Sequence, residues 1–341
     1  MKKWPVYAPV IIPTLCRFEH FKRCIDSLSR CTGAEYTDVY IGLDYPVKDS
    51  HWEGYQKICD YVEQLKGFNH LYVLKRTYNY GAIVNVRDLL AQVKKHYDRY
   101  ILSEDDNEFS PNFLEYMNAG LEKYKDDPDV LRICGCNMSW YADFEECMKT
   151  YGYNAYPAMD FCAWGIGRWF SKVTPIPFTK ESVLNSFSLT RKTIRYGYCS
   201  AIDRFLHHLH KDSQFPDICF RLYCVFNHKY CIFPRVSKVK NWGFDGTGEN
   251  VDSDPRWINE FVLDTSPEFE LDDFEIKEYK EVKSLIKEKY DALKIVPHYR
   301  RAIMEQYLFF RITGMRMEDV PPGQRARNYL FKNLFKRLSS K

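Results

Sequence analysis

The stretch Tyr100-Ile101-Leu102-Ser103-Glu104-Asp105-Asp106-Asn107 sets an apolar run directly before three consecutive carboxylates. The run reads as a buried strand, and the acids fall where that strand would surface. Dense carboxylates in such a place suit a hard divalent cation, Mn²⁺ or Mg²⁺, which binds one or two of them and completes its shell with water and a ligand's phosphates. A solvated acidic turn is the plain alternative for the triplet alone. The rest of the chain decides between the two.

Apolar runs of strand length recur at 8–13, 38–43, 71–74, 99–102 and 130–134. Between them lie helical patterns. Phe18, Phe21, Ile25 and Leu28 recur at helical spacing, as do Trp52, Tyr55, Ile58, Val62 and Leu65, with Ser50 and Glu53 spaced as a capping box. A third pattern carries Ile83, Val86, Leu90 and Val93, and Ser110-Pro111 opens a fourth. This alternation predicts an α/β fold with a mostly parallel central sheet covered by helices on both faces.

In such sheets ligands gather beyond the carboxyl ends of the strands. The residues there are Pro13-Thr14-Leu15-Cys16-Arg17, then Asp44-Tyr45-Pro46, then Arg76-Thr77-Tyr78-Asn79-Tyr80-Gly81, then the acidic triplet. Two arginines, one isolated acid and a metal-binding cluster suit a nucleoside diphosphate. Arginine would neutralise phosphate, and a carboxylate would accept from base or ribose.

At 341 residues the chain has room for one large domain with an appendage, or for two domains. A net charge of +3 gives no global attraction to nucleic acid. The charged start is followed by an apolar run broken by Pro9 and Pro13, too short for an export signal. No run reaches the roughly 18 apolar residues that span a bilayer, so a cytoplasmic chain is expected. Twelve scattered cysteines without a Cys-x-x-Cys pair read as reduced core residues.

From about 140 to 250 the pattern is irregular and rich in aromatics, most of which core packing should claim. A helix is predicted over 199–209, with Asp203 near its start and His207, His208 and His210 following. Another, over 274–293, runs from acidic to lysine-rich, which complements a helix dipole. The segment 323–341 carries Arg325, Arg327, Lys332, Lys336, Arg337 and Lys341 with no acid, around a stripe of Leu330, Leu334 and Leu338. It reads equally as a peripheral contact with an anionic membrane, on the inner face of the cell membrane, or as a docking helix or disordered tail.

The post-strand residues resemble the GT-A glycosyltransferases, especially the bacterial group related to glycosyltransferase family 2 that builds surface polysaccharides. Pro13-Thr14-x-x-Arg17 is similar to that group's opening nucleotide-binding turn, Asp44 to its uracil-facing acid, Asn79-x-Gly81 to its Asn-x-Gly turn, and Glu104-Asp105-Asp106 to its DXD-type metal signature. Arg87 and Asp88 stand one place off from the family's Arg-Asn pair. The segment 162–169, with Trp164 and Gly165, resembles the Trp-Gly-rich acceptor segment, and 234–248 the closing Asn-x-Gly-Phe-Asp-Gly-x-Gly stretch. Glu249-Asn250 stands where the family often carries a metal-binding histidine.

The resemblance covers about residues 7–250. It implies a GT-A catalytic domain over 1–250, with a nucleotide-binding half to about 135 and an acceptor half after it, followed by a helical extension over 251–341. It implies an inverting transfer from a nucleotide sugar, with uridine the favoured base, to a glycan or lipid-linked acceptor. Metal would be held by Asp106 and Glu104, nucleotide by Pro13, Thr14, Arg17, Asp44, Arg76, Asn79, Gly81 and Asp105, with Asp203 as general base and Asp160 and Asp245 in reserve. Two alternatives stay open, a nucleotidyltransferase and a noncatalytic glycan-binding relative. The first normally carries a glycine-rich loop after strand one, and 13–17 has no glycine.

Overall fold

Each strand expected in the first 135 residues forms in the computed structural model, which describes residues 3–140, 143–172, 216–247, 261–291 and 296–317 together with single positions 187, 191, 202, 206 and 320. The strands are β1 (Val10–Thr14), β2 (Asp38–Leu43), β3 (His70–Lys75), β4 (Arg99–Leu102), β5 (Asn107–Phe109), β6 (Val130–Cys134), β7 (Ala155–Ala158), β8 (Ile166–Trp169), β9 (Tyr230–Pro234) and β10 (Val239–Asn241). The helices are α1 (Phe18–Ser29), α2 (Trp52–Val62), α3 (Gly81–Val93), α4 (Phe113–Lys123), the single turn α5 (Phe144–Cys147), α6 (Pro216–Asn227), α7 (Lys280–Asp291) and α8 (Val296–Thr313).

Eight strands form one sheet in the order β3-β2-β1-β4-β8-β6-β9-β7, in which β7 and β8 run against the rest. The mostly parallel α/β architecture expected from the alternation is therefore present. The strand order reverses between β1 and β4, and a reversal of this kind opens a crevice at the carboxyl ends. A two-stranded ribbon pairs β5 with β10, setting Asn107 opposite Asn241.

The inner strands are largely apolar because both faces are covered, while edge strand β3 exposes His70, Tyr72 and Lys75. α1 buries Phe21, Cys24, Ile25 and Leu28 on one face, where α2 and α4 join it. On the other face Leu89 and Val93 of α3 meet Ile11, Tyr40 and Tyr100. Residues beyond 260 share these cores. Phe269 packs beside Tyr116 of α4, and Val282, Leu285, Ile303 and Tyr307 enter the cluster around β6, β7 and β9. The eleven cysteines among the described residues are free thiols.

Several local expectations are corrected. Ser50 and Glu53 form no capping box: a 3₁₀ turn occupies Asp49–His51, no side chain caps α2, and Glu53 pairs with Lys57 at 2.7 Å. α3 turns Asn85, Leu89 and Val93 inward and leaves Ile83 61% exposed. The cause is Asn85, which donates to Gly42 O at 2.8 Å and accepts from Arg76 at 3.0 Å, fixing the helix rotation. α4 starts at Phe113 with Asn112 at its cap, because Ser110 is spent on a 2.9 Å bond to Asn112. The helix predicted from 274 begins at Lys280. The expected helix at 199–209 and the basic segment 323–341 lie outside the described residues, apart from positions 202 and 206. No described helix is long and apolar enough to cross a membrane.

Candidate active site

Thr14 ends β1, Arg17 precedes α1, and Asp105 and Asp106 follow β4, so neighbouring parallel strands deliver all four to one point. Thr14 Oγ1 donates to Asp105 at 2.8 Å. Arg17 donates to Asp105 and, at 2.9 Å, to Asp106. Burial works against the charge on Arg17, but the two aspartates outweigh it and raise its pKa. Burial also lifts Asp105 by more than Arg17 lowers it.

The β5–β10 ribbon closes the cluster from the other side. Asn241 donates to Asp106 Oδ1 at 2.7 Å, and Trp242 N donates to the Asp106 carbonyl at 2.9 Å. Gly243 sits so close that a Cβ there would stand 2.5 Å from Asp106 Oδ2. His20 pairs with Asp245 at 3.1 Å beside them. Asn241, Trp242 and Gly243, given no individual role in the site expected from sequence, belong to the closing Asn-x-Gly-Phe-Asp stretch, whose spacing was their one visible signal.

Glu104 lies at the floor of a recess. Solvent reaches its side chain, yet enough protein surrounds it that burial, then Asp106, Asp105 and Asp217, push its carboxyl up to about 8. Asp217, in the first turn of α6, faces the same recess, and burial raises it too. Nothing in the sequence pattern marked Asp217, because α6 was itself not foreseen. Of the other acids, Asp160 is fully buried, accepts from Phe161 N at 2.7 Å and pairs with Arg221. Asp245 accepts from Thr247 as well as pairing with His20. Asp203 lies outside the described residues.

A second group sits next to the cluster. Asp44 N donates to Thr14 O at 2.9 Å, and Asp44 Oδ1 accepts from Tyr45 N and Tyr80 N at 2.9 and 2.8 Å. Its Oδ2 has no partner among the described residues. Asn79 donates to Tyr45 O at 2.8 Å, and Gly81 opens α3 at φ +69°, a conformation that favours glycine. Arg76 is tied into the scaffold by Asn85 and by Asp88 at 2.7 Å, beneath the Tyr80 ring. Trp164 packs edge-on against Phe244 and Phe261, and Gly165 O accepts from Gly135 N at 2.7 Å. Pro13 lies within β1 opposite Gly42.

Among the described residues no three His, Cys, Asp or Glu side chains converge into a ready cage. Asp106 and Glu104 still fit one hard cation that takes its remaining ligands from phosphate and water. Burial first, and then the negative charge of Asp106 and Asp105, lifts Glu104, and a bound cation would favour its ionised form against both. Arg17 would then exchange Asp106 for a phosphate oxygen.

No family model matches the chain, and no curated protein matches it. Among solved structures it is similar to residues 1–349 of S. aureus TarS, at 10% identity over 98% of this chain and 92% of that one, with a TM-score of 0.40. It is similar to the mannosyltransferase PcManGT from Pyrobaculum calidifontis, in complex with GDP-Man and Mn²⁺, at 12% identity over 100% of this chain and 91% of that one, with a TM-score of 0.34. Longer S. aureus TarS matches at 17% identity over 37% of this chain, with a TM-score of 0.29, and the match spans about a fifth of its length, 21%. At such values the likeness assigns no family to the chain.

Proposed function

We propose that the chain transfers a sugar from a nucleotide sugar, UDP-linked, to a hydroxyl of a glycan or lipid-linked acceptor in surface polysaccharide synthesis, with inversion at the anomeric carbon. The observation that carries this reading is the convergence of Thr14, Arg17, Asp105, Asp106 and Asn241 at the β1/β4 reversal, with Asp44 alongside. Asp44 Oδ2 is the acceptor for an N–H of the base. Arg17 is the charge-assisted donor to the diphosphate, and Asp105, itself held by Thr14, keeps Arg17 in place.

A divalent cation, Mn²⁺ or Mg²⁺, held by Asp106 and Glu104, supplies Lewis-acid stabilisation of the departing diphosphate. The protein's own task on the opposite face of the sugar is to take the acceptor's proton. We assign that task to Asp217, a described carboxylate within electrostatic range of Glu104. Burial raises its pKa, which makes it a stronger proton acceptor than an ordinary aspartate. Asp203 is the other candidate, and paired substitutions separate the two. Trp164 would border the acceptor, and the segment 323–341 would rest the chain on an anionic membrane surface.

The test is donor hydrolysis. Incubating the protein with a panel of nucleotide sugars and Mn²⁺ is expected to release a free nucleoside diphosphate from one donor. Release of pyrophosphate instead would make it a nucleotidyltransferase. Saturable glycan binding with no release from any donor would make it a binding protein.

A further inference from the structure

Arg132 lies on β6 and Arg168 on β8. The register of these strands, Ile133 opposite Gly167 and Cys134 opposite Ile166, continues to set Arg132 beside Arg168, and Arg168 in turn stands opposite Tyr100 of β4. Like charges side by side on neighbouring strands destabilise a sheet. Here Asp217 acts on Arg132 only at a distance, with no hydrogen bond or ion pair between them among the described residues. Neither guanidinium has a hydrogen-bond or ion-pair partner among the described residues, although Arg132 is only 8% exposed.

What the two side chains do touch is aromatic. Arg132 lies 3.3 Å from the ring centre of Phe220 and 4.4 Å from that of Phe161, and Arg168 lies 5.6 Å from that of Tyr100. Ring faces attract a cation but accept none of the five N–H groups in their own plane. Other arginines of this chain are treated differently: Arg17, Arg76 and Arg99 each donate to carboxylates. The pair sits on the sheet face that carries α3, beside α6. Arg132 rests on Phe220, one helical turn along α6 from Asp217, which places the arginines on the side of α6 that leads to Asp217.

We propose that Arg132 and Arg168 bind an anionic group of the acceptor, a phosphate or a carboxylate, in a subsite next to the sugar-transfer recess. The word acceptor rests on the transferase reading; the anion site does not. A tetrahedral or planar oxyanion would satisfy both guanidiniums at once and convert their mutual repulsion into shared attraction. Partly exposed Arg168 is the entry side, and ring-clamped Arg132 is the fixed side.

Isothermal calorimetry on the full chain, with inorganic phosphate and with glucuronate as separate probes and no nucleotide or metal present, tests this. Saturable binding of at least one probe is expected, weakened about tenfold or more by Arg168→Gln, the size of one lost charge-assisted hydrogen bond. Preference for phosphate assigns a phosphorylated acceptor, and preference for glucuronate an acidic sugar. Arg132→Met should act likewise. Should that variant not fold, Arg168→Gln decides alone. Absence of saturable binding, or binding that survives Arg168→Gln and disappears in Arg17→Met, overturns the proposal. Donor hydrolysis reads the transferase function separately, so either can fail without the other.

Discussion

Asn241 donates to Asp106 at 2.7 Å, joining two buried side chains 135 residues apart. This bond fastens the closing stretch of the α/β domain onto the acidic turn and sets the direction of the Asp106 carboxylate. Asn241→Ala leaves that buried oxygen short of a donor. A stability loss of about 1–3 kcal/mol is expected from urea denaturation, together with weaker Mn²⁺-dependent UDP binding. Unchanged affinity would free Asp106 of any need for this support.

Gly243 lies on the other Asp106 oxygen. A methyl group there has to displace either the carboxylate or the ribbon, since its contact would be 2.5 Å. Gly243→Ala is expected to cost about 1–3 kcal/mol by overpacking, and to impair metal-dependent nucleotide binding more than thermal unfolding alone accounts for. Calorimetry with and without Mn²⁺ distinguishes the two effects.

Asp217 and Asp203 are the two acids proposed as the general base. Removing a general base slows transfer about 10²- to 10⁴-fold, while the nucleotide site stays intact. Asp217→Asn is expected to show that loss at unchanged UDP affinity, and Asp203→Asn to retain most of the rate. The reverse pattern gives the role to Asp203.

The pairing of Asp264 with Lys238 predicts an acid-side stability window. Burial alone would raise the Asp264 carboxyl, but Lys238, the Ser266 amide and Asn112 hold it down to about 2. A carboxylate with a lowered folded pKa stabilises the native state above its unfolded value, about 3.9, and the contribution disappears as pH falls to about 2. Burial pulls Lys238 below the ordinary lysine range even so, which returns part of the gain. Asp264→Asn is therefore expected to flatten the urea midpoint between about pH 4 and 2. A midpoint that falls equally in both proteins would place the acid sensitivity elsewhere.

Chelation offers a direct check on the acidic turn. Tight UDP binding that is lost on adding EDTA and restored by Mn²⁺, but not restored in Asp106→Ala, is the expected outcome. Equal UDP affinity before and after chelation would mean that the diphosphate is held without a metal ion.

Five of the sheet's eight strands, β1 to β4 and β6, were legible in the sequence because parallel strands buried on both faces are short apolar runs, as at 38–43, 99–102 and 130–134, whereas β7, β8 and β9 lie in the aromatic-rich stretch that showed no regular pattern. The post-strand residues were legible for the same reason, since the fold gathers strand ends. Pattern could not set helix rotation. α3 faces inward through Asn85, a polar residue held by Gly42 and Arg76, so apolar spacing was right about Val93 but missed Asn85 and Leu89 and placed the exposed Ile83 inside. Nor could it place Asn241 and Gly243 on Asp106, Asp217 beside Glu104, or Arg132 beside Arg168. Those pairings depend on strands far apart in the chain becoming neighbours. Local propensity determined which segments would be strands, while the order in which they pack, and so the charges that meet at their ends, is a property of the closed core alone.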